Sequence, residues 1–533
     1  MKRPLAISGP MGVGKSTVAR ALAERTGAPL LDVDRAIEEQ AAESISAIFA
    51  REGEARFRSR ETEVIARALS LDPPPVIALG GGAVTDVRTR RLLLHRAIVV
   101  TLRASTSTLV ARIGEAGVAA RPLLASEASP EARLDQLLQE RAVAYAEAHL
   151  QLDTEGKTPD ELAAAIAAAW ARDPVAVALG ERTYRVEIGR GVVTELPNVL
   201  CELRARSVVL VTDDRVWPAV RARIEPVFEG ARVIARVVLP SGEAHKTLES
   251  IARIWDAAID GGADRSTVIV AVGGGVVGDL AGFAASTLLR GVRVVQVPTT
   301  LLAMVDASVG GKTAIDRPQG KNLVGAFHQP SAVLADVALL DTLPARELGS
   351  GLAEVVKTAL IGDADLFDLL EKQASQLTSG DLELLTRVVR ASIAHKARVV
   401  SEDERDASGA RASLNFGHTI GHALESHGGY ATLTHGEAVG LGMLAALRVG
   451  LARGHGDRSL IDRVTRLLAT IGLPHVLDAR DVEAALPFVT RDKKREGDRV
   501  VFVLVPQIGR STLEPLSLEE LRAILVPKAQ TNA

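Results

Sequence analysis

Short apolar runs alternate with amphipathic stretches from the start of the chain to residue 171. The runs are apolar throughout, as strands are when helices cover both faces of a parallel sheet. Stretches with apolar residues three or four positions apart follow them, a period typical of helices packed on such a sheet. The pattern predicts strands at residues 5–8, 29–33, 76–79 and 98–102, and helices from about residue 35 and over 159–171.

A second alternating pattern begins near Tyr184. It predicts strands at 208–212, 267–272 and 292–297, which are rich in β-branched side chains. From about Leu339 helical periodicity dominates, over residues 353–361, 383–398, 418–424 and 437–451, and a hairpin is predicted at 499–505. Asp173 and Pro174 interrupt the last helix of the first pattern. These changes predict two α/β domains and a mainly helical one, over residues 1–172, 177–338 and 339–525.

The composition narrows the possible partners. Of 533 residues, 47% are hydrophobic and 24% charged, with a net charge of -3, which argues against a disordered chain and against a general nucleic-acid or anionic-membrane binder. Cys201 is the single cysteine, so a metal would need His, Asp or Glu ligands. Neither a run of the ~18 apolar residues of a membrane span nor a signal-peptide pattern is present. We expect a cytoplasmic protein with small-molecule partners, and no membrane or nucleic-acid partner.

Residues 9–16 carry a phosphate-binding motif. The segment Gly-Pro-Met-Gly-Val-Gly-Lys-Ser fits G-x-x-x-x-G-K-[ST] and lies between a predicted strand and a predicted helix. Its glycines let backbone N–H groups surround a phosphate, and the helix N-terminus adds partial positive charge. Lys15 would meet the terminal phosphates, and the Ser16 hydroxyl would bind Mg²⁺. The alternative is a glycine-rich turn with a solvated lysine.

Further polar and glycine-rich segments accompany this loop. Asp32 and Asp34 end the second predicted strand, at the edge where ligands of such sheets bind, although Asp34 is also a candidate helix N-cap. The Gly80-Gly81-Gly82 segment follows a strand and would let the backbone approach a ligand closely. Arg58 and Arg141 are candidate ligand contacts, and each also fits an ordinary surface position on a helix.

In this order, the P-loop, Asp-x-Asp, Phe-Arg, Gly-Gly-Gly, Arg-Pro-Leu-Leu and Arg-x-x-x-Tyr motifs resemble shikimate kinase over about residues 1–170. The resemblance implies ATP with Mg²⁺ as cofactor and shikimate as substrate. It places ATP on Gly12, Val13, Gly14, Lys15, Ser16, Thr17 and Arg121, Mg²⁺ on Ser16 and Asp32, and shikimate on Asp34, Arg58, Gly80, Gly81, Gly82 and Arg141. It implies that Lys15, Asp34 and the lid residue Arg121 are catalytic, with Asp34 as the base. Paired arginines suit a planar carboxylate because guanidinium donors form a fork.

Residues 273–279, Gly-Gly-Gly-Val-Val-Gly-Asp, fit the dinucleotide motif G-x-G-x-x-G after a predicted strand. The acid that usually follows about twenty residues later is missing, because residues 290–298 hold no carboxylate. Either the ribose partner lies elsewhere, with Glu243 and Lys246 as upstream candidates, or the motif is a tight packing turn.

Four of the 11 histidines fall between residues 418 and 435. His418 and His422 are four residues apart, so both face one side of a helix. With Glu354, on a predicted helix, two histidines would form a His₂Glu set, a known catalytic zinc arrangement. The alternative is a pair of core histidines held by backbone carbonyls. The absence of an H-E-x-x-H motif argues against a zinc protease of that type.

A group of cationic residues lies near these motifs and suggests a substrate with phosphate and carboxylate groups. The group is Lys312, Lys321, Lys357, Arg411, Lys493 and Lys494. Each of them alone also fits a solvated surface charge.

Together these segments resemble 3-dehydroquinate synthase over roughly residues 177–525. The resemblance is carried by residues 242–246, 273–279, 297–300, 305–312, 320–322, 351–357, 415–422 and 435–437. It implies Zn²⁺ (or Co²⁺) on Glu354, His418 and His435. It implies NAD⁺ on Asp213, Glu243, Lys246, Gly275, Val276, Val277, Gly278, Asp279, Thr299, Thr300, Lys312, Lys321, Leu339 and Thr342. The implied substrate, DAHP, is a seven-carbon keto sugar acid phosphate, and it is placed on Asp306, Lys312, Asn322, Lys357, Arg411, Asn415 and Lys493. Lys357, Arg411, Asn415 and His422 would be catalytic.

The two resemblances imply an α/β fold class, with a P-loop kinase parallel-sheet domain, a dehydroquinate-synthase-like α/β NAD-binding domain and a mainly helical metal-binding domain. They imply a bifunctional enzyme of the shikimate route to aromatic amino acids, which phosphorylates shikimate and converts DAHP to 3-dehydroquinate with phosphate release. We also expect a homodimer through the synthase part. The alternatives are another small-molecule kinase joined to a polyol dehydrogenase or a different sugar-phosphate cyclase, and a non-catalytic sensor.

Overall fold

The computed structural model describes residues 2–119, 129–429, 432–489, 495–496 and 499–526. The chain forms two compact units, Met1–Glu187 and Ile188–Ala533. The predicted division into three domains at 172/177 and 338/339 stays a prediction. Two residues predicted for the sites, Arg121 and Lys493, lie outside the described residues, as does Lys494.

The first unit is built on a parallel sheet. Its strands are β1 (Leu5–Ser8), β2 (Leu30–Asp32), β3 (Val76–Ala78), β4 (Ile98–Arg103) and β5 (Leu150–Asp153), in the order β2-β3-β1-β4-β5. The four predicted strands are confirmed. The sequence analysis missed β5 because this edge strand is not continuously apolar: its residues are alternately half-buried and exposed.

Helices pack on both faces of this sheet. They are α1 (Lys15–Thr26), α2 (Val33–Ala41), α3 (Ile45–Ala68), α4 (Val87–Arg96), α5 (Thr106–Ala119), α6 (Pro130–Glu140), α7 (Ala142–Ala146) and α8 (Pro159–Arg172). Successive residues of β1 enter opposite cores, Leu5 and Ile7 with Trp170 on one side and Ala6 with Phe57 on the other. Burial on both faces explains why the strand reads as a continuous apolar run.

Two short antiparallel strands follow, β6 (Val175–Val177) and β7 (Tyr184–Gly189), and the boundary between the compact units falls inside β7. The second unit contains parallel strands β8 (Val208–Asp213), β9 (Val233–Leu239), β10 (Val268–Gly273) and β11 (Arg293–Pro298), then the hairpin β12 (Lys312–Arg317) and β13 (Gly320–Phe327), and β14 (Ala332–Asp336). The parallel strands have the order β14-β11-β10-β8-β9. Its first helices are α9 (Leu196–Glu202), α10 (Val216–Ile224), α11 (Leu248–Asp260) and α12 (Gly275–Thr287). The predicted strands at 208–212, 267–272 and 292–297 are confirmed to within one residue.

The rest of the second unit is mainly helical, as predicted. Its helices are α13 (Ala345–Gly362), α14 (Ala364–Thr378), α15 (Leu382–Glu402), α16 (His418–His427), α17 (His435–Ala452), α18 (Arg458–Thr470), α19 (Ala479–Val489) and α20 (Leu518–Leu525). Strands β15 (Arg495–Glu496), β16 (Arg499–Gln507) and β17 (Arg510–Ser517) form a small antiparallel sheet. The predicted hairpin at 499–505 is wrong in its extent, because these residues form the single strand β16 and the hairpin is completed by β17. Among the described residues, every helix is either too short or too polar to span a bilayer.

Glycines let α13, α16 and α17 approach one another closely. A Cβ on Gly436 of α17 would overlap the backbone of Ser350 on α13, and a Cβ on Gly442 would overlap the carbonyl oxygen of Gly417, directly before α16. Gly421 of α16 lies equally close to α17, where an added Cβ would be 3.0 Å from the carbonyl oxygen of Ala438. The three helices that carry Glu354, His418 and His435 are therefore locked together at backbone distance.

We expect Gly442→Ala to destabilise the second unit by about 1–3 kcal/mol, because the added methyl meets rigid backbone rather than a movable side chain. The matched control is Gly440→Ala on the same helix, where the new Cβ would lie at an ordinary 3.5 Å from Leu468. That change should be neutral or stabilising by up to about 1 kcal/mol, since alanine favours helix. The midpoint of urea unfolding, followed by circular dichroism, measures both variants. Equal midpoints for the two would contradict the close packing.

Candidate active sites

The phosphate-binding motif forms the turn between β1 and α1. Gly12 and Gly14 have φ angles of 77° and 94°, in the left-handed region that glycine adopts without strain. The Lys15 ammonium donates to the carbonyl oxygens of Gly9 at 2.9 Å and Pro10 at 3.0 Å, so it lies folded over the loop. The other predicted ATP residues, Val13, Ser16 and Thr17, lie in this loop or the first turn of α1.

Asp32 and Asp34 lie beside this turn, and their carboxylates have different surroundings. The Asp32 carboxylate accepts from Ser16 Oγ at 2.9 Å and from the backbone N–H of Arg35 at 3.3 Å. Asp32 is therefore the N-cap of α2, and the interpretation of Asp34 as the cap is wrong, because the helix begins two residues earlier than predicted. Burial, and then the charge of Asp32, raise the pKa of Asp34 against the opposing effect of Lys15 and Arg58. A raised pKa suits a carboxylate that accepts a proton.

Arg58 lies against the Gly80–82 turn. Its guanidinium pairs with Glu61 at 2.7 Å and with Glu54 at 3.1 Å. Glu61 is 2% exposed and was missed by the sequence analysis, although the Arg58/Glu61 spacing of three residues on a helix was a usable signal. Burial raises the pKa of Glu61, partly offset by Arg58.

Arg141 also contacts this turn. Arg141 and the Tyr145 hydroxyl both donate to the carbonyl oxygen of Gly81, at 3.2 and 2.6 Å. A Cβ on Gly80 would come within 2.6 Å of Asp34, and a Cβ on Gly81 would lie 3.9 Å from the Lys15 ammonium. The turn thus brings the predicted shikimate residues and the P-loop lysine together.

Gly82→Ala should raise the KM for shikimate about tenfold or more while changing the KM for ATP little. The new Cβ would overlap the Arg58 guanidinium and push it from its place, and the loss of a charge-assisted hydrogen bond is worth about 1.5–3 kcal/mol. Steady-state kinetics with each substrate varied in turn test this. Equal rises in both KM values would contradict a specific displacement of Arg58.

In the second unit, the glycine-rich turn joins β10 to α12. A Cβ on Gly273 would meet Val277 at 2.5 Å, and one on Gly278 would meet Gln296 at 2.9 Å, so these glycines serve close packing. Gly275 and Val276 begin α12, while the Val277 side chain is buried in the core. The packing alternative therefore holds for Gly273 and Gly278, and the binding of a nucleotide by this turn stays a prediction.

Charged residues surround this turn. Lys246, nearly fully buried, lies 2.5 Å from a carboxylate oxygen of Asp279 and donates to Asn322 Oδ1 at 2.5 Å. Burial disfavours the charged lysine, but Asp279 and Glu243 outweigh it and raise the pKa of Lys246. The predicted nucleotide residues Glu243, Lys246, Asp279 and Lys321 thus form one connected set, because Lys321 lies 3.5 Å from Glu243.

The other residues that were predicted to bind NAD⁺ lie in several parts of the second unit. The backbone N–H of Thr299 donates to Gly273 O at 3.0 Å, and a Cβ on Gly274 would lie 3.3 Å from Thr300, so both threonines border the turn. Asp213 ends β8, and its carboxylate accepts from the backbone N–H groups of Arg215 and Val216 at 2.9 and 2.7 Å. Leu339 is buried in the apolar core, so only its backbone can face a ligand, and Thr342 bonds to its carbonyl at 3.0 Å. Lys312 is 58% exposed and pairs with Asp406 at 2.7 Å.

Glu354, His418 and His435 converge on one point, although they lie on three helices. Oε1 of Glu354 is 3.6 Å from Nε2 of His418 and 3.5 Å from Nε2 of His435. The three ligand atoms lie within 4.8 Å of one another. Glu354 is 1% exposed, and its Oε1 atom has no hydrogen-bond donor. An orphaned buried carboxylate oxygen between two imidazoles fits a bound cation.

The Nδ1 atoms of the His418 and His435 rings each donate to an acceptor that fixes the orientation of the ring. His418 Nδ1 donates to the carbonyl oxygen of Phe416 at 3.2 Å, and His435 Nδ1 donates to the Glu425 carboxylate at 3.3 Å. Both contacts direct the Nε2 atom of each ring toward Glu354, the orientation in which a histidine can bind a metal through Nε2. Glu425 and this tautomer pattern were not predicted from the sequence.

The pKa values of Glu354, His418 and His435 are shifted by burial and by one another's charges. Burial alone would raise the pKa of Glu354, but Lys357, His418 and His435 hold it well below its usual range. Burial and then Lys357 lower the pKa of His418 well below its usual value. Burial opposes the charged form of His435, but Glu354 and Glu425 outweigh it and raise its pKa to about 10. A cation must displace that proton, so metal affinity rises with pH.

Side chains of alternating charge continue from Glu354 and its two histidines. Lys357 pairs with Glu354, and Lys396 pairs with Asp306, whose π-helical turn Ala303–Ala307 lies before β12. Burial opposes the charge of Asp306, but Lys396 and Lys357 lower its pKa to about 2. Lys396 was missed by the sequence analysis, because no local pattern distinguishes it from an ordinary surface lysine on a helix.

Other predicted substrate residues lie in the same region. Arg411 is 3% exposed and donates to the carbonyl oxygen of Gly310 at 3.2 Å, and Asn415 bonds to the backbone one turn earlier. The His422 ring is exposed and lies 5.1 Å from the His418 ring and 5.9 Å from the His435 ring, between centroids.

Both units of the chain match known protein families. Residues 236–350 and 351–495 match the family models for the 3-dehydroquinate synthase N-terminal and C-terminal domains. A 3-dehydroquinate synthase from Rhodopirellula baltica is 43% identical over 370 residues, which is 68% of this chain and 99% of that protein. The chain belongs to the 3-dehydroquinate synthase family. Residues 11–171 match the shikimate kinase family model.

Solved structures of related cyclases share the synthase fold. A 2-deoxy-scyllo-inosose synthase, solved with carbaglucose-6-phosphate, NAD⁺ and Co²⁺, has a TM-score of 0.60 and 27% identity over 66% of this chain and 99% of its own. A 2-epi-5-epi-valiolone synthase from Streptomyces hygroscopicus subsp. jinggangensis, with NAD⁺ and Zn²⁺, has a TM-score of 0.58 and 28% identity over 64% of this chain and 96% of its own. The predicted pairing of shikimate kinase with 3-dehydroquinate synthase, and the predicted fold class, are confirmed.

Proposed function

We propose that the P-loop site phosphorylates shikimate with Asp34 as the base. Lys15 and the backbone of residues 12–17 hold the ATP phosphates, and Ser16 with Asp32 holds Mg²⁺. Arg58 and Arg141, which both contact the Gly80–82 turn, grip the shikimate carboxylate. The support is the clustering of these groups around one turn, together with the raised pKa of Asp34.

In the synthase part, the residues present fit both cofactors. Glu354, His418 and His435 hold a divalent cation, Zn²⁺ or Co²⁺, as the orphaned Glu354 oxygen supports. The turn at 274–276 with Glu243, Lys246, Asp279, Thr300 and Lys321 holds NAD⁺. When bound, the cation supplies Lewis-acid activation of a secondary alcohol, and NAD⁺ supplies a reversible hydride acceptor.

The chain's own residues bind and protonate the sugar acid phosphate. Lys357, Lys396 and Arg411 neutralise its carboxylate and phosphate in a buried pocket, where charge stabilisation is strong. Asp306 keeps Lys396 in place, and Asn415 supplies an amide beside Arg411. His422, exposed beside the two ligand rings, moves the proton that accompanies phosphate loss. The support is the cationic character of this region, which an ordinary polyol dehydrogenase would not need.

One assay separates this function from a dehydrogenase. The full chain is supplied with DAHP, NAD⁺ and Zn²⁺, and phosphate is followed together with NADH absorbance. Phosphate release without net NADH is expected, because the hydride returns within each turnover. NADH that accumulates with time would identify a polyol dehydrogenase instead. A sister cyclase would release phosphate only from a different sugar phosphate.

We also propose an oligomeric state and a cellular location for this chain. A homodimer through the synthase part is supported by the apolar side chains of Leu323, Val324 and Phe327, which are exposed on β13. Analytical ultracentrifugation of the full chain tests this, and a monomer at micromolar concentration would contradict it. A cytoplasmic location is supported by the need for ATP and NAD⁺.

A further inference from the structure

Glu425, on α16, connects two parts of the synthase site. It is 5% exposed and lies outside the residues assigned above to either cofactor. Its two carboxylate oxygens have different partners: Oε2 lies 3.3 Å from Nδ1 of His435, and Oε1 lies 3.5 Å from the Lys321 ammonium.

The contact with His435 determines which ring nitrogen faces the cation. Because a carboxylate only accepts, Nδ1 of His435 donates to it, and Nε2 is left to face Glu354 Oε1 at 3.5 Å. A glutamine at position 425 keeps the size of the side chain but removes the charge. It can also turn its amide N–H₂ toward the ring and select the wrong tautomer.

The contact with Lys321 extends the connection to the nucleotide side. Lys321 also lies 3.5 Å from Glu243, so one ammonium is shared between carboxylates of two different segments. A ligand that orders Glu243 and Lys321 therefore also orders Glu425, and through it the His435 ring.

We propose that Glu425 is a positioning residue that couples the two cofactor sites, so that bound NAD⁺ raises the affinity of the Glu354, His418 and His435 set for its cation. The coupling rests on the nucleotide site proposed above. It is reciprocal, because the cation must raise the affinity for NAD⁺ by the same factor.

The test is a Zn²⁺ competition titration of the full chain against a chromophoric chelator, with and without NAD⁺ at a concentration that saturates each variant. Wild type should bind Zn²⁺ at least about fivefold more tightly with NAD⁺. Glu425→Gln should weaken Zn²⁺ binding about 10–100-fold and lose the NAD⁺ effect. Lys321→Met should lose the NAD⁺ effect on Zn²⁺ affinity.

Glu371→Gln is the matched control. Glu371 also pairs with a cationic side chain, Arg463, but it lies on a different helix, α14. It should behave as wild type, and only Glu425→Gln should alter the visible spectrum of the Co²⁺-loaded chain. Zn²⁺ affinity unchanged in Glu425→Gln, or an NAD⁺ effect retained in Lys321→Met, would overturn the proposal. Direct NAD⁺ binding by calorimetry separates the failures: a wild type that binds both cofactors without mutual effect overturns the coupling, whereas one that binds neither overturns the proposed function.

Discussion

Glu354→Gln should reduce phosphate release from DAHP by roughly 10³-fold or more, because a Lewis acid supplies several kcal/mol of transition-state stabilisation. The substitution removes the anionic ligand between His418 and His435. It also leaves Lys357, which is 2% exposed, without the charge of its partner. Phosphate release at saturating DAHP, NAD⁺ and Zn²⁺ measures the effect, with the metal content of the purified chain as a second readout.

The bifunctional chain contains its own control for this variant. Shikimate-dependent ADP formation by Glu354→Gln should match the wild-type rate, because the P-loop site lies in the other compact unit. Glu371→Gln, the same chemical change at a surface ion pair, should keep both activities. If Glu354→Gln retained its metal and released phosphate at the wild-type rate, the cation would have to lie elsewhere.

Lys15→Ala should reduce shikimate-dependent ADP formation about 10²–10³-fold, as is typical when one preorganised donor to a developing charge is removed. The Lys15 ammonium lies over the loop, 2.9 and 3.0 Å from the carbonyl oxygens of Gly9 and Pro10, and no other lysine lies in the motif. A coupled ADP assay with shikimate varied measures the rate, and DAHP-dependent phosphate release should not change.

Lys157→Ala is the matched control, because Lys157 is an exposed lysine of the same unit that lies outside the loop. It should retain the wild-type kinase rate. Equal losses in Lys15→Ala and Lys157→Ala would point to a general electrostatic effect, and kinase activity retained in Lys15→Ala would contradict a phosphate-binding role for the loop.

Local patterns were sufficient to predict four strands of the first sheet, three strands of the second sheet (β8, β10 and β11) and both glycine-rich turns. The buried strands of both sheets read as apolar runs because helices cover both faces, whereas edge strand β5 did not show this signal and was missed. Asp32 replaced Asp34 as the helix cap because strand and helix meet without a loop, and the sequence does not show where one ends.

The sequence could not show which side chains, far apart along the chain, contact each other in the fold. Lys396 reads as one more helix lysine until α15 brings it to Asp306, and Glu425 becomes informative only beside His435. Motif resemblance also gives positions rather than side-chain directions. Leu339 falls in a segment expected near NAD⁺, yet its side chain is buried in the core, because burial is decided by packing that no single motif records.

Anomalous diffraction at the zinc absorption edge, from crystals of the full chain loaded with Zn²⁺, tests the central claim most directly. A single strong peak is expected at about 2.0–2.2 Å from one oxygen of Glu354 and from Nε2 of His418 and of His435. A peak bound elsewhere, or no peak between these three side chains at full zinc occupancy, would contradict the account.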